Sequence, residues 1–432
     1  MKLVFDKLLE KKIYIFFFII FISYILGFYF NEDSSGGGQL DFEHEWRTFL
    51  EFKKGIYLAL TSMNYESSRM PLFPILNSFN IFATDQYSFR FSNFIANIFV
   101  FFSFFVCLKM RNIILRKDLL LLASSLILLS PYFRSSSYWA HQENLPFFFT
   151  FISFSIIYYF KCKNKLITNN FLICFIIAIL SSLSFYSDQK FIFVSFFSFI
   201  YLFFETNNIK IKIIVFLIYF LTSLPAFYLF FLWGGILPVE SQYRIGYYPF
   251  NISSSLSIIS FYFIPLILFI IFNKKIHLYL KNINKVDILI FLFIGLINYT
   301  CIPDFNSSWG YGIIIKLFYV LKNKLLINTL ILSFIYFVFL QIFTFFIYII
   351  LKKNILNYLP VIIVVILSFF VERTYNEYFD PLILSLIFVF FDFDEIIKKN
   401  FDKLVFYYLY FYCCFLIFAN MYYNFYNLNP NP

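Results

Sequence analysis

Charged residues are scarce in this chain. They make up 13% of its 432 residues, whereas hydrophobic residues make up 61%. A soluble protein of this length could not cover its apolar core with so few charges. The same composition, with only 11 glycines, also excludes disordered and collagen-like chains. The sequence therefore predicts a membrane protein.

Cysteine and histidine are also few. The six cysteines lie mostly in or beside apolar runs, and none forms a CxxC pair. We interpret them as small buried hydrophobic residues, and they provide neither a zinc site nor a disulfide framework. No internal repeat is evident, which argues against a transporter built from repeated halves.

Basic residues are in excess and give a formal net charge of +10. They occur mostly in short tracts between apolar runs, where they set membrane topology. We therefore expect no nucleic-acid partner. The 71 phenylalanines, like the frequent Ile, Asn and Lys, are encoded by A/T-rich codons, so we infer a low-GC bacterial source.

Long apolar runs recur along the whole chain. A helix needs about 20 apolar residues to cross a bilayer. Thirteen segments approach that length: 13–30, 89–108, 119–133, 145–160, 171–186, 190–204, 213–233, 255–272, 287–302, 327–351, 355–371, 381–391 and 404–422. Since 119–133 and 381–391 are short enough to be re-entrant, we predict an all-α polytopic membrane protein with twelve or thirteen transmembrane helices. One integral-membrane domain over residues 1–432 is expected.

The basic tracts orient these segments. They occupy alternate connections, at 2–12, 109–117, 161–165, 210–212, 274–285, 352–353 and 398–403. Basic residues are retained in cytoplasmic loops, so the N-terminus is predicted to be cytoplasmic and the intervening loops to face outward. The first outward loop, 31–88, is the longest and holds most of the residues suited to catalysis.

The first outward loop opens with GGGQLDFEHEW at residues 36–46. Three glycines permit a sharp turn or a close approach of the backbone. A helix is then expected from Asp41 to Lys54, ended by Gly55. Its apolar stripe consists of Phe42, Trp46, Phe49 and Leu50. Such a stripe suits a helix that lies flat on the membrane surface.

Two carboxylates, Asp41 and Glu45, lie one turn apart on the flank of this stripe. Like charges at this spacing slightly destabilise a helix, so a cation, a protonated partner or a substrate hydroxyl is expected beside them. Asp41 is therefore a candidate general base, or else only the N-cap of the helix. Glu43 and His44 complete the candidate catalytic set. Glu43 alternatively belongs to the solvated face beside Arg47, and His44 is either a polar-face residue or an active-site donor.

Two arginines associated with this loop are candidates for substrate binding. Arg69 precedes MPLFPIL (70–76), where two prolines are expected to stop a helix and favour a rigid surface or re-entrant segment. Arg90 opens RFSN (90–93) at the outer end of the second predicted span. An arginine there either snorkels or faces an anionic lipid headgroup.

Three later outward loops add further candidate substrate-binding residues. These are His141 and Glu143 in 134–144, Asp188 and Lys190 in 187–190, and Glu372 and Arg373 in 372–380. The first pair alternatively belongs to an interfacial aromatic belt, and the last alternatively pairs with its neighbours. Lys190 faces outward against the topological trend, which binding of a phosphate would explain.

The order of these motifs resembles that of the GT-C glycosyltransferases. LDFEHEW resembles their acidic-His motif, MPLFPIL their Pro-rich apolar segment, and RFSN their Arg-x-x-Asn. LSFYSDQKFIF (183–193) is similar to their segment with an Arg-Gln-Thr-Asn core, and FVERTYNEYFDPL (370–382) to their late Glu-Arg-Tyr motif. The chain looks most like the dolichyl-phosphate-glucose alpha-1,2-glucosyltransferases. It differs where Phe42 separates the two acidic residues and where Asp-Gln-Lys replaces Arg-Gln, which leaves the sugar and the acceptor open.

The resemblance implies a function. The enzyme would transfer a sugar from a polyprenyl-phosphate donor to a lipid-linked or cell-surface glycan acceptor, with Asp41 as the base. The reaction would occur within membrane lipids, on the outer face of a bacterial inner (plasma) membrane. Arg69, Arg90, Lys190 and Arg373 would neutralise the leaving phosphate. The superfamily also implies that a divalent metal ion can assist, although no ligand set is evident in the sequence.

Two other functions fit parts of the same pattern. An O-antigen-type polysaccharide polymerase shares the number of spans and the outward loops, but it joins whole repeat units. A lipid-linked oligosaccharide flippase requires charges deep within the spans, and these are scarce here.

Overall fold

The computed structural model of the chain describes residues 2–114, 116–273, 276–281, 283–303, 305 and 312–427. The fold is 79% helical. The described residues contain no strand beyond an isolated antiparallel bridge between Ile245 and Val371. The predicted all-α class is therefore confirmed. The chain packs as two compact units, residues 1–243 with 412–432 and residues 244–411.

The first unit contains helices of very different length. They are α1 Lys2–Tyr29, α2 Gly38–Lys54, α3 Ile56–Leu60, α4 Leu72–Ser78, α5 Gln86–Arg111, α6 Lys117–Ser125, α7 Pro131–Tyr138, α8 Leu145–Cys162, α9 Phe171–Ser187, α10 Ile192–Glu205 and α11 Ile209–Trp233. Short 3₁₀ turns occupy Leu126–Leu129, Gln142–Asn144, Ile167–Asn169, Gln189–Phe191 and Val239–Arg244.

The second unit is also helical. Its elements are α12 Phe250–Phe272, α13 Ile276–Lys281, α14 Lys285–Thr300, α15 Gly312–Lys324, α16 Thr329–Leu351, α17 Tyr358–Phe369, α18 Leu382–Ser385 and α19 Glu395–Lys399. Helix α20, Phe401–Asn427, follows and continues into the residues of the first unit. There are 3₁₀ turns at Ile355–Asn357 and Asn376–Tyr378, and a π turn at Leu386–Phe390.

Among the described residues, seven helices are long and apolar enough to cross a membrane. They cover Lys12–Tyr29, Gln86–Arg111, Gln142–Cys162, Ile209–Trp233, Phe250–Phe272, Thr329–Leu351 and Phe401–Tyr423. An eighth span results if Lys117–Leu129 and Pro131–Tyr138 count as one, although they are bent by 66°. The chain therefore has the architecture of an integral membrane protein.

Of the twelve or thirteen expected spans, seven or eight are supported among the described residues. The remaining predicted spans do fold as helices, but α9 has 17 residues, α14 has 16, α10 has 14 and α17 has 12. At 1.5 Å per residue, a helix of 14 residues is about 21 Å long, short of the roughly 30 Å hydrocarbon core. Segment 381–391 is shorter still, with one α turn followed by one π turn. Their apolar composition led to the prediction of spans, but the positions of caps and turns decide how long the helices are.

The bend between α6 and α7 has a local cause. Ser130 takes an extended conformation, and its hydroxyl accepts a hydrogen bond from the Phe133 N–H at 3.0 Å, so it caps a new helix. Pro131 follows at the first helical position, where its missing N–H costs nothing. The predicted span 119–133 is thus broken just before its end.

A buried ion pair ties the end of α1 to α7. Arg134 is 3% exposed, and its Nε and Nη2 donate to the two carboxylate oxygens of Glu32 at 2.9 and 2.6 Å. Nη2 also donates to the Ser23 carbonyl at 2.8 Å. A bidentate pair of this kind fixes geometry as well as charge. It holds the chain that leaves α1 against α7, directly before the residues of the candidate site.

We expect Arg134→Met to destabilise the protein by about 3–5 kcal/mol, because it leaves the Glu32 carboxylate buried without its cation. The matched control is Lys54→Met, which removes a lysine that is 67% exposed and paired with Glu51 at 2.7 Å. An exposed pair contributes at most about 1 kcal/mol. The measurement is the temperature at which the detergent-solubilised protein loses its monodisperse elution peak. Equal losses in the two variants would contradict the assignment.

Candidate active site

Helix α2 begins at Gly38 because Asp33 caps it from outside. The Asp33 carboxylate accepts hydrogen bonds from the backbone N–H groups of Gly36, Gly38 and Gln39 at 3.1, 3.2 and 3.1 Å. The expected start at Asp41 was therefore three residues late, and the N-cap role of Asp41 was wrong. Asp41 lies within the helix and its N–H donates to the Gly37 carbonyl at 3.0 Å. The carboxylate of Asp41 is not used as a cap.

The glycine run brings the start of α2 against α7. Gly36 has φ +76°, a left-handed conformation that favours glycine. A Cβ on Gly38 would collide with the Ser135 hydroxyl and with Trp139. The Gly38 carbonyl also accepts a hydrogen bond from Nε2 of His141 at 2.9 Å. The glycines thus permit the close approach that the sequence indicated, and the partner is α7 and the loop after it.

The apolar stripe of α2 packs against protein. Phe42 and Phe49 are buried, and both contact the ring of Phe89 on α5, with centroids 6.3 and 4.7 Å away. Leu50, which was expected in the stripe, is exposed. This differs from the expected helix lying flat on lipid, because α5 extends far enough to cover the stripe. Away from this stripe, Asp41 and Glu43 are left exposed on α2.

The loop that carries Arg69 is held by two other loops that are predicted to face outward. Within it, the Tyr65 hydroxyl donates to the Arg69 carbonyl at 2.7 Å, and the Arg69 N–H donates to the Ser67 hydroxyl at 3.2 Å. The Gln142 amide donates to the Ser67 hydroxyl, and the Gln189 amide donates to the Ser68 carbonyl at 3.2 Å. Three loops predicted to lie on the same side therefore meet at one place.

The predicted proline stop after Arg69 was wrong. Pro71 is the N-cap of α4, and Pro74 lies in its first turn. Backbone N–H groups in the first turn have no partner within the helix, so proline is tolerated there. The two prolines start a short helix and do not prevent one.

Buried charges form an alternating network where the loops meet. Arg69 contacts the Glu143 carboxylate through Nη1, and its Nε lies 3.6 Å from Oδ2 of Asp188. Nζ of Lys190 lies 3.2 Å from the same Asp188 oxygen. Nδ1 of His141 lies 3.7 Å from Oε2 of Glu143. All five side chains are between 7% and 13% exposed. The network thus combines candidates from three predicted loops in one site.

Asp41 and Glu45 face this network without being part of it. Both carboxylates are within electrostatic reach of Arg69, His141 and Glu143. In the described part of the chain, neither accepts a hydrogen bond or forms an ion pair. They are the two carboxylates beside the cluster that are left available for a ligand. We therefore take Asp41, Glu45 and the network as the candidate active site.

The surroundings hold both carboxyls toward the neutral form. Desolvation raises the pKa of Asp41 above its ordinary value of 3.8, although the side chain is accessible to solvent from one side. Burial raises the pKa of Glu45 further, from 4.5 to about 7. The positive charges of His141 and Arg69 oppose both shifts, whereas Glu143 adds to them. At neutral pH, Glu45 is close to half protonated.

Two members of the predicted catalytic set lie outside this cluster. Glu43 is exposed on the opposite face of α2, as the solvated-face alternative predicted. His44 is also exposed, and its Nδ1 contacts the carboxylate of Glu66. Arg47 lies 3.2 Å from the same carboxylate. His44 therefore belongs to a surface ion-pair group, from which it still acts electrostatically on Asp41.

Arg90 is held by structural contacts. Its Nε donates to the Tyr138 carbonyl and its Nη2 to the Asn31 side chain, both at 2.8 Å. Its guanidinium lies 3.8 Å from the centre of the Trp139 ring. Cation–π packing of this kind stabilises a protein in the absence of a ligand. The contacts place Arg90 between α5 and α7, outside the charge network.

Glu372 and Arg373 belong to the second unit. Nε of Arg373 lies 3.5 Å from Oε1 of Glu372, and the side chains are 41% and 43% exposed. This agrees with the alternative that they pair as neighbours. Their predicted role in substrate binding stays a prediction.

The described residues contain no group of three or more His, Cys, Asp or Glu side chains placed to hold a metal ion. The residues of the charge network do not fit such an ion, because Arg69 and Lys190 already occupy the spaces beside Glu143 and Asp188. The divalent ion implied by the resemblance therefore has no ligand set in this part of the chain.

The sequence analysis gave no role to two residues that matter here. Asp33 precedes a Ser-Ser-Gly-Gly-Gly run, and an aspartate before glycines is a signal for a side-chain turn that could have identified the cap. Glu45 was noticed only as the partner of Asp41. Its raised pKa depends on distant residues that no local pattern reveals.

Comparisons of the chain with protein-family models, with curated proteins and with solved structures find no match. Its function therefore has to be argued from the residues and their geometry.

The raised pKa of Glu45 predicts a pH-dependent stability. The folded protein binds this proton more tightly than the unfolded chain does, since the pKa is about 7 when folded and 4.5 otherwise. This contribution is fully present below pH 4.5 and is lost as the pH rises through 7. We expect Glu45→Gln to raise the melting temperature at pH 8 and to leave it unchanged near pH 4.5. Glu43→Gln, on the exposed face, is the control and should change neither value.

Proposed function

We propose that this protein is a membrane glycosyltransferase. It transfers a sugar from a polyprenyl-phosphate donor to a lipid-linked or cell-surface glycan acceptor. The observation that carries the proposal is the unpartnered carboxylate of Asp41, which lies within electrostatic reach of the buried cation Arg69. Arg69 shares the Asp188 carboxylate with a second buried cation, Lys190. A base beside cations is what transfer from a sugar phosphate requires.

The chemistry assigns a role to each side of the site. Asp41 accepts the proton of the acceptor hydroxyl, and the hydroxyl oxygen forms a bond to the anomeric carbon. The bond between that carbon and the phosphate oxygen breaks, and its electron pair leaves with the lipid phosphate. Negative charge grows on the phosphate, and Arg69 and Lys190 are the groups that neutralise it. His141 and Glu143 hold these groups in place through the charge network.

The loop that carries Arg69 is held in place by contacts with two other loops, and this supports the assignment. The Gln142 amide holds the Ser67 hydroxyl and the Gln189 amide holds the Ser68 carbonyl, so the guanidinium is positioned before any substrate binds. Preorganised charges stabilise a transition state more effectively than charges that must move into place. The loop lies where α8 begins, at one end of a membrane-spanning helix. A lipid-borne substrate presents its headgroup at that depth.

The remaining elements of the proposal rest on sequence. The alternating basic tracts favour a cytoplasmic N-terminus and an active site on the outer face of a bacterial inner membrane. The resemblance to GT-C enzymes favours a polyprenyl-phosphate donor. His44, at the accessible edge near Asp41, and the pair Glu372 and Arg373 are retained as candidates for substrate binding.

We expect Asp41→Asn to reduce sugar transfer by about 10²–10⁴-fold, because the amide cannot accept the proton. The experiment compares lipid-linked and cell-surface glycans, by mass, from a deletion strain complemented with the wild type, Asp41→Asn or Glu43→Gln. Glu43 is on the same helix and is exposed, so its variant should restore the wild-type profile. Elution profiles and melting temperatures of the two variants establish that both are folded.

Each result has a definite meaning. Loss of one sugar, restored by the wild type and Glu43→Gln only, supports the transferase and its base. Full rescue by Asp41→Asn would exclude Asp41 as the base. Single repeat units in place of a ladder would identify a polymerase, and an unchanged glycan profile in the deletion strain would overturn the proposed function.

A further inference from the structure

The first unit has a long apolar groove between α5 and α8. Its volume is about 450 Å³. The side chains that line it include Phe99, Phe102, Val106 and Met110 of α5, and Ile152 and Tyr159 of α8. Both helices are long and apolar enough to cross the membrane, and Phe99 and Phe102 are more than half exposed. The groove therefore opens toward lipid.

The two helices run in the same direction and end together. The rings of Phe104 and Phe151 lie 4.7 Å apart, and farther along the helices the Cys162 thiol donates to the Met110 carbonyl at 3.2 Å. Helix α5 ends at Arg111 and α8 ends at Cys162. The groove thus reaches the end of both helices, which is opposite to the end where Glu143 precedes α8.

Basic side chains continue both walls of the groove. Lys109 lies in the last turn of α5, three residues after Val106, and Lys163 directly follows α8, four residues after Tyr159. At 100° per residue, both lysines are near the groove-lining faces of their helices. Both are exposed, and in the described part of the chain no carboxylate lies within ion-pair distance of either. Lys161 and Lys165 add further exposed positive charge nearby.

We propose that this groove binds a phospholipid with an anionic headgroup. One acyl chain fills the apolar groove, and the headgroup phosphate lies between Lys109 and Lys163. Any acyl chain fits the apolar groove itself. The two cations at one end favour a lipid with a negative headgroup over a zwitterionic one. Basic pockets between transmembrane helices recognise acidic lipids by this combination. The site does not depend on the proposed sugar transfer.

The test measures lipid binding to the purified full-length protein in mild detergent. Phosphatidylglycerol and phosphatidylcholine with identical acyl chains are titrated in turn, and bound lipid is counted by native mass spectrometry. We expect saturable binding of one phosphatidylglycerol and much weaker binding of phosphatidylcholine. The double variant Lys109→Gln/Lys163→Gln should weaken phosphatidylglycerol binding about 30-fold and leave phosphatidylcholine binding unchanged.

Two controls separate the groove from general charge and hydrophobicity. Lys210→Gln/Lys212→Gln removes the same charge from the start of α11 and should bind phosphatidylglycerol like the wild type. Val106→Trp fills the groove and should weaken binding of both lipids, whereas Ile95→Trp, at an exposed apolar position of α5 outside the groove lining, should not.

The headgroup comparison with the wild type decides the proposal even if a variant fails to fold. Equal binding of the two phospholipids would overturn it. Equal losses in the two double-lysine variants would overturn it as well, and so would preferential retention of an uncharged lipid or of a polyprenyl chain.

Discussion

The pairing of buried charge is the constraint on which the candidate site depends. Arg69 is only 13% exposed, and an uncompensated charge at such a position would cost several kcal/mol. Its partners, Glu143 and Asp188, come from two other loops. The three loops must therefore converge for the unit to fold, and their convergence creates a rigid polar surface at one end of the membrane helices.

The acidic residues around this surface divide into two kinds. Glu143 and Asp188 balance the cations and are fixed by them. Asp41 and Glu45 lie on helix α2. Because Asp33 caps the start of that helix, neither carboxylate is needed as a cap. Their pKa values are raised because desolvation disfavours the charged form more than the nearby cations His141 and Arg69 favour it. In the proposed function, the carboxylates that balance buried charge are thus different from the carboxylate that would act as the base.

Three arginines show how one residue type acquires different roles from its surroundings. Arg69 belongs to the charge network, Arg90 stacks on Trp139, and Arg134 forms a buried bidentate pair with Glu32. In the sequence, all three occur in predicted outward loops or at the predicted outer end of a span, and Arg69 and Arg90 were both candidates for substrate binding. Only the first has a place beside the unpartnered carboxylates.

The sequence by itself determined the all-α membrane class, the positions of most helices, and the spacing of Asp41 and Glu45, because composition and helical periodicity are local properties. The tertiary structure decided the rest. Caps such as Ser130 and Asp33 set where helices begin, and seven or eight of the described helices reach membrane length. Contacts between distant loops decided which charges are paired and which are available. Such contacts join residues as far apart as Ser68 and Gln189, and no local pattern encodes them.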